Sequence, residues 1–420
     1  MLHLNCSFTI AQKTYDVIIV GAGPVGLLVA LRLGQQGIPT LVLEAHHELL
    51  PTTRAMVYMP MINRCLHELG LTETIQKNAF LNHDGVVWRD IEGNKLAQLP
   101  LSPEEGGQFG GTYQIGQARM NQLILTELMK CASVDVKFGL RCVGIEDDAS
   151  AETIKVMAHQ LGLPDGDLFF EGKYVLGADG NASAVRRMMC IPFDGYTFAE
   201  FKMIGMDILF DFGKEFDWTP LNFFVNPDEW GIVAFTGQHG GAAHAPEDKR
   251  PQWRVAFVEP VDLPTGTEEY IKRGRLRIKN YLKDRTDYEI VRAESYWLHQ
   301  RCAAKARKGR VMLAGDALHH GEPDSVLTDC ATSRRDAWLN ATAKFALGNL
   351  HRLADAEGEQ AEARKEFFDK LNNDPGFPKA FRKNLDSMMP ETFELKSAPM
   401  PEKMMPETFE IPVKTVDVAG

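Results

Sequence analysis

The chain of 420 residues contains no C-x-x-C pair, no G-x-S-x-G elbow and no apolar run of about 18 residues. Each absence removes a class of function. Seven cysteines (Cys6, Cys65, Cys131, Cys142, Cys190, Cys302, Cys330) are scattered and odd in number, which argues against a disulfide framework and fits a reducing compartment. Without the elbow there is no Ser-His-Asp hydrolase to propose. Without the long apolar run no membrane-spanning helix is expected. The start, "MLHLNCSFTIAQKTY", lacks a basic segment and an apolar stretch of signal-peptide length, so the expectation is a cytoplasmic protein. Positive charge is also scarce: 46 Lys and Arg against 57 Asp and Glu leave a net charge of −11. That gives no broad basic field, so no nucleic-acid partner is expected. His319 and His320 stand near Glu322 and Asp324, but adjacent histidines diverge and no spaced third ligand follows, so no metal is expected.

What remains is an ordinary globular composition, 44% hydrophobic and 25% charged, long enough for two domains or one composite one. The first informative stretch is "TYDVIIVGAGPVGLLVALRLGQQGIPTLVLEA". It reads as a β-branched run, a glycine turn, an amphipathic helix and a second short strand, a βαβ unit. Gly21 permits the tight turn, Gly23 lets a pyrophosphate approach the backbone, and Gly26 lets helix and strand pack closely. The phosphates would then meet the helix N-terminus, where free N–H groups and the macrodipole favour anions. Glu44 closes the second strand eighteen residues after Gly26, placed to accept hydrogen bonds from an adenosine ribose.

Further along, "MPMINRCLHELGL" and "ARMNQLILTELMKCA" read as helices on either side of a polar loop containing "EEGGQFGG". "VDVKFGLRCVGIED" reads as strand, and "FFEGKYVLGADGNASAVRRMM" as strand, turn and helix start. Between about 200 and 300 the texture becomes antiparallel: "FKMIGMDILFDF", "LNFFVNPDEWGIVAFTG" and "QWRVAFVEPV" are strands separated by Gly, Pro and Asp turns. "GRVMLAGDALH" then returns to nucleotide-domain texture. In the tail, "MMPETFE" occurs at 388–394 and again at 404–410; two copies are too few for a solenoid and suggest an extended arm that docks on the body or on a neighbouring subunit.

Three separated motifs in this order resemble the single-component FAD-dependent aromatic hydroxylases, the class A flavoprotein monooxygenases of the p-hydroxybenzoate hydroxylase type, over about residues 14–345. "GAGPVG" with Glu44 and Ala45 is similar to the family's site for the ADP half of FAD, which implies Gly21, Gly23, Pro24 and Gly26 as cofactor contacts. "GADGNASAVRR" resembles the DG motif, placing Asp179 and Gly180 near the pyrophosphate, in a region also associated with NAD(P)H use, with Arg186 matching the usual arginine. "GRVMLAGDALH" resembles the ribityl-binding motif, with Gly315 and Asp316, and Pro323 keeps the spacing that follows His319. Arg54 in "PTTRAMVYMP" and Arg119 in "GQARMNQLILTEL" match two cofactor arginines, whose planar donors suit a pyrophosphate or a flavin carbonyl.

The resemblance implies an α/β fold. Its parts would be a discontinuous Rossmann-like FAD-binding domain (14–195 and 300–345), an inserted antiparallel-sheet substrate domain (196–299), a helical segment (346–385) and an extended tail (386–420). It implies a monooxygenase that uses NADPH or NADH and O2 to hydroxylate or epoxidise an electron-rich phenolic or enol-like small molecule, aromatic or polyketide-like, through a C4a-hydroperoxyflavin, in secondary metabolism, with a homodimer allowed. None of the six tryptophans lies two residues from another, so the W-x-W of flavin-dependent halogenases is missing. One departure stands out. Where the family is glycine-rich after Pro323, this chain has "DSVLTDCATSRRDAW", so Asp324 could oppose reduced flavin unless Arg334 or Arg335 compensates. That keeps open a second reading, an FAD-binding cyclase or isomerase without redox chemistry. No catalytic acid or base is marked by a motif; Tyr58, Trp230 and His239 are pocket candidates only, of residue types found more often in core or at the surface.

Overall fold

The structure is a computed structural model that describes residues 13–51, 54–101, 110–163, 166–237, 250–282, 285–320, 350–355 and 357–388. The side chains of residues 61, 320 and 384–388 fall outside that description. So do Pro323, Asp324, Arg334, Arg335, His239 and both copies of "MMPETFE". Residues 389–420 lie outside the described residues.

The βαβ unit forms as the residues dictate. Strand β1 (Thr14–Val20) runs into helix α1 (Pro24–Gln35), and β2 (Thr40–Leu43) returns parallel to β1, Ile18 opposite Leu41 and Ile19 opposite Val42. Period-two alternation divides the core. Ile18, Val20, Leu41 and Leu43 belong to one buried cluster, while Ile19 and Val42 meet Leu27, Ala30 and Leu31 of α1 on the opposite face. Helix Gln117–Leu128 covers that second face too, through Leu123, Ile124 and Leu128. Five strands are parallel neighbours in the order Val311–Leu313, Asp167–Gly177, β1, β2, Val134–Lys137. Strands Leu140–Glu146 and Ile154–Gln160 extend the sheet antiparallel, as does Arg307–Lys308. Parallel strands need apolar cover on both sides, and the two clusters supply it.

The second sheet has seven strands, ordered Glu289–Tyr296, Phe201–Leu209, Gln252–Pro260, Gly231–Gly237, Leu221–Phe224, Val86–Arg89, Lys95–Leu99. All its pairings are antiparallel except the one joining Leu221–Phe224 to Val86–Arg89. The last two strands come from a segment in which the sequence pattern predicts no regular element. One face of this sheet lies under helix Thr267–Leu282, with Ile204, Met206, Val255 and Phe257 against Tyr270, Ile278 and Leu282. The other face carries Met203, Ala234, Ala256 and Val258, and at its Trp88 end receives Phe368 and Leu371 of helix Glu359–Asn373. A three-stranded sheet of Val57–Tyr58, Thr112–Gln114 and Phe80–Asn82 also pairs antiparallel.

Helix Glu359–Asn373 is fixed by two contacts of different kinds. Phe368 tilts on Trp88 with ring centroids 5.5 Å apart, and Asn372 Nδ2 donates to the Leu96 carbonyl at 2.8 Å. Phe368→Ala should therefore cost about 3 kcal/mol of unfolding free energy, the usual penalty for deleting a buried ring. Urea denaturation checks this; a loss below about 0.5 kcal/mol would mean that the helix does not dock as described.

Candidate functional site

The three motifs, spread over some 300 residues of chain, meet at the start of α1. Gly21 has φ +107°, and a Cβ there would lie 2.4 Å from the Ala178 carbonyl oxygen and 3.0 Å from Asp179 Cα, which brings the first motif against the second. Gly26 is held by the turn itself, since its Cβ would stand 2.1 Å from the Gly21 oxygen. Gly315 (φ +59°) presses on the first motif as well: a Cβ would meet Val25 Cγ2 at 2.9 Å. Backbone packing alone explains these three glycines.

Gly23 is different. It caps α1 with φ −71°, which any residue adopts, and a Cβ added there would meet nothing within 4 Å. No side chain caps the helix, Pro24 sits in its first turn, and no acid lies in that turn. Unused N–H groups at a helix start, an uncontested positive dipole end and an open approach at Gly23 are what a pyrophosphate needs. Gly180, at φ +80°, is likewise open, with nothing within 4 Å of a built Cβ. The residues present thus fit a dinucleotide cofactor by a criterion independent of the motif: Gly23 is a glycine that neither the protein's packing nor its own backbone conformation requires.

Glu44 braces this turn. Its Oε2 accepts from Ala22 N at 2.8 Å and its Oε1 from His46 N at 2.9 Å, leaving a second lone pair on each oxygen for ligand hydroxyls. Ala45 follows, half-buried. Asp179 has a more internal job than the sequence suggested. Its Oδ1 accepts from Ser183 Oγ at 2.5 Å, and its Oδ2 from the backbone N–H groups of Ala184 at 2.6 Å and Val185 at 3.1 Å. The carboxylate caps the short helix Ala184–Met188 and so shapes the loop that presents Gly180.

Arg186, which the sequence marked only by family position, ties the second motif to the third. It is buried, donates from Nη1 to the Ala317 carbonyl at 2.8 Å and from Nη2 to the Asn181 carbonyl at 2.7 Å, and lies 3.6 Å above the Phe193 ring. Burial lowers its pKa, while nearby Asp179 opposes that shift. Asp316 sits in the single turn Gly315–Ala317 that Arg186 holds, with its side chain exposed.

The two lone arginines share one neighbourhood. Arg54 is exposed, and the next residue, Ala55, exchanges hydrogen bonds with Gln117 at the start of helix Gln117–Leu128: Ala55 N to Gln117 Oε1 at 3.0 Å, and Gln117 N to the Ala55 carbonyl at 2.9 Å. Arg119, two residues into that helix, is aimed by Asn78, whose Oδ1 accepts from Nη2 at 2.7 Å. Gln117 stands beside Arg119 in the quoted stretch and Asn78 in none, and no local pattern marks the supporting part of either. Of the pocket candidates, Tyr58 packs into the core beneath α1 and burial raises its phenol pKa, while Trp230 is buried in the second sheet, edge-on to Phe201. Among the described residues no group of three or more metal-ligating side chains occurs, and no helix is long and apolar enough to cross a membrane.

The two kinds of glycine predict opposite outcomes. Gly23→Ala should change stability by no more than about 0.5 kcal/mol yet lower FAD affinity at least ten-fold, about 1.4 kcal/mol. Gly21→Ala should destabilise the fold by more than about 1 kcal/mol with or without cofactor, through its positive φ and the Ala178 carbonyl. Glu44→Ala should weaken FAD by roughly 1–3 kcal/mol. Thermal melts and FAD titration of the three variants separate these effects, and equal behaviour of Gly23→Ala and Gly21→Ala would refute the distinction.

Comparison with known proteins agrees with this geometry. Residues 14–325 match the family model described as FAD binding domain. Over 317 residues the chain is 31% identical to para-nitrophenol 4-monooxygenase of a Pseudomonas species, covering 74% of this chain and 73% of that protein. Over 312 residues it is 31% identical to 6-hydroxy-3-succinoylpyridine 3-monooxygenase of Pseudomonas putida, covering 73% of each. The crystal structure of a p-nitrophenol 4-monooxygenase from Pseudomonas putida superposes with a TM-score of 0.80 at 26% identity, over 90% of this chain and 99% of that one. The chain belongs to the family of FAD-dependent aromatic hydroxylases.

Proposed function

We propose that the protein is a monooxygenase that uses NADPH or NADH and O2 to hydroxylate a phenolic substrate. The observation that carries this reading is the match, over nearly the full length of a solved relative, to enzymes named as p-nitrophenol monooxygenases. FAD, bound at the start of α1, supplies the redox chemistry: it takes up reducing equivalents and activates O2 so that one oxygen atom reaches the ring. The protein's residues have binding and positioning roles. Gly21, Pro24 and Gly26 form the turn, Gly23 and Gly180 admit the pyrophosphate, Glu44 and Ala45 receive the adenosine ribose, and Gly315 with Asp316 receives the ribityl chain. Arg54 and Arg119 would face the phosphates or the ring. Asp179 and Arg186 act through the loops that they hold, and Pro323 completes the set from outside the described residues.

In this reading residues 14–195 and 300–345 make the cofactor domain and 196–299 the substrate domain, with strands Val86–Arg89 and Lys95–Leu99 added to the sheet of the second. Residues 346–385 are its helical segment, whose last helix, Phe377–Met388, runs three residues past the expected start of the tail at 386. Its need for NAD(P)H suits a cytoplasmic enzyme, and a homodimer is compatible. The non-redox cyclase reading rested on residues 324–338, which lie outside the described residues, and the relatives, being monooxygenases, do not favour it.

The test is stoichiometry. FAD-loaded enzyme, given NADPH or NADH and 4-nitrophenol or another simple phenol, should consume O2 one for one with reductant and form an oxygenated product, and should form none without O2. Product formed anaerobically by the oxidised enzyme, with no change in oxidation state, would overturn the proposal.

A further inference from the structure

We propose that the cavity between Phe80 and Trp253 is a second ligand site, separate from the cofactor turn, which takes a small aromatic molecule carrying a neutral hydroxyl group. The cavity measures about 360 Å³, within the range of small-molecule sites, and its walls are rings. Phe235 and Trp253 are cross-strand partners with ring centroids 5.4 Å apart. Phe80 meets Phe235 edge-on at the same distance while 42% of its own surface stays exposed. Trp218, Pro220 and Pro251 complete the apolar lining. None of these residues belongs to the cofactor set. Phe235 and Trp253 lie on the sheet face under helix Thr267–Leu282, opposite the face that meets Met56 and Val57 next to the Arg54 segment.

Two polar groups border this apolar space at one spot. Trp253 is only 3% exposed, and its indole Nε1 is buried with no hydrogen-bond partner among the described residues. A buried donor left unpaired is costly and rare. Gly213, which lines the cavity, shows where that donor faces: a Cβ built there lies 3.8 Å from Trp253 Cζ2, on the edge of the indole that carries Nε1. The same built atom lies 3.4 Å from Asp211 Oδ1. Asp211 also lines the cavity, and among the described residues its carboxylate accepts one hydrogen bond, from Lys214 N to Oδ1 at 2.9 Å, as cap of the short helix Phe212–Phe216. Its Oδ2 is left for a ligand.

This combination selects among ligand chemistries. An ammonium group suits the carboxylate and the ring faces but has no acceptor for the indole N–H. A phenolate or carboxylate suits the N–H and is repelled by Asp211, and no Lys or Arg among the described lining residues offsets that repulsion. A neutral hydroxyl does both jobs, donating to Asp211 while accepting from Trp253, and the ring that carries it packs among Phe80, Phe235 and Trp253.

Phenol, whose hydroxyl is neutral at about pH 7, tests the site when titrated into FAD-loaded enzyme without reductant, followed by calorimetry and by flavin absorbance. Calorimetry should detect phenol binding that Gly213→Leu removes, because Cβ makes only ordinary contacts at that position and the rest of the side chain enters the cavity. FAD content and the flavin response to phenol should stay those of the wild type. Asp211→Asn keeps the helix cap but replaces a charged acceptor, so it should weaken the same binding about ten-fold with an unchanged ligand-free melting temperature. Toluene, without a hydroxyl, and benzylamine, with a cation in its place, should each bind at least about ten-fold more weakly than phenol. Phenol binding that both variants retain overturns the proposal, as does toluene binding as tightly as phenol or benzylamine binding more tightly. If Gly213→Leu does not fold, Asp211→Asn and the ligand series decide by the same outcomes. A wild-type flavin spectrum that does not respond to phenol counts against the hydroxylase reading alone, since loss of the calorimetric signal in the variants still supports this site.

Discussion

The close approach of the Gly21 backbone to Ala178 and Asp179 is the constraint on which the cofactor half depends. With a side chain at Gly21 the strands β1 and Asp167–Gly177 could not bring their ends together, because the 2.4 Å between a built Cβ and the Ala178 oxygen leaves no room. With those ends apart, Asp179 would cap its helix somewhere else and Arg186 would no longer reach the Ala317 carbonyl. The parallel pairing of both strands with their neighbours supplies the rigidity, and the glycine supplies the space. Gly23, only two residues away, has no such duty inside the protein, and it is this difference that marks the ligand side of the turn.

Much of this half could be read from the chain because its signals are local. A β-branched run, a glycine turn with Pro24, an amphipathic stretch and a terminal acid fall within about thirty residues, and the structure folds them as β1, α1 and β2 with Glu44 bracing the turn. What was not legible depends on long-range contact. Strands Val86–Arg89 and Lys95–Leu99 flank a turn with Gly93 at φ +91°, a hairpin pattern that short length and polar surroundings concealed. That they join the second sheet was beyond any local pattern, since their partner Leu221–Phe224 lies more than 120 residues away. Arg186 was visible as a family position, but its hold on Ala317 spans 131 residues. Gln117 and Asn78 are single polar residues whose parts come from what surrounds them, and nothing beside them in sequence carries that information.

The two halves of the molecule therefore make different demands on sequence. The cofactor side is specified by backbone geometry, which few residues other than glycine can satisfy, and motifs survive there. The second sheet is specified by alternation and volume, which many residues satisfy, so individual polar side chains on its inner face are free to differ. Arg254 and Asp207 make a buried pair on that face, with Nε to Oδ1 at 2.9 Å, and Gln252 lies two residues from Arg254 on the same strand.

A crystal structure of the enzyme with FAD and 4-nitrophenol tests the central claim most directly. The account predicts the pyrophosphate at the start of α1 beside Gly23 and Gly180, the adenosine ribose on Glu44 and the ribityl chain at Asp316. Pyrophosphate density away from the α1 N-terminus, or a dinucleotide bound with Gly23 and Glu44 untouched, would contradict it.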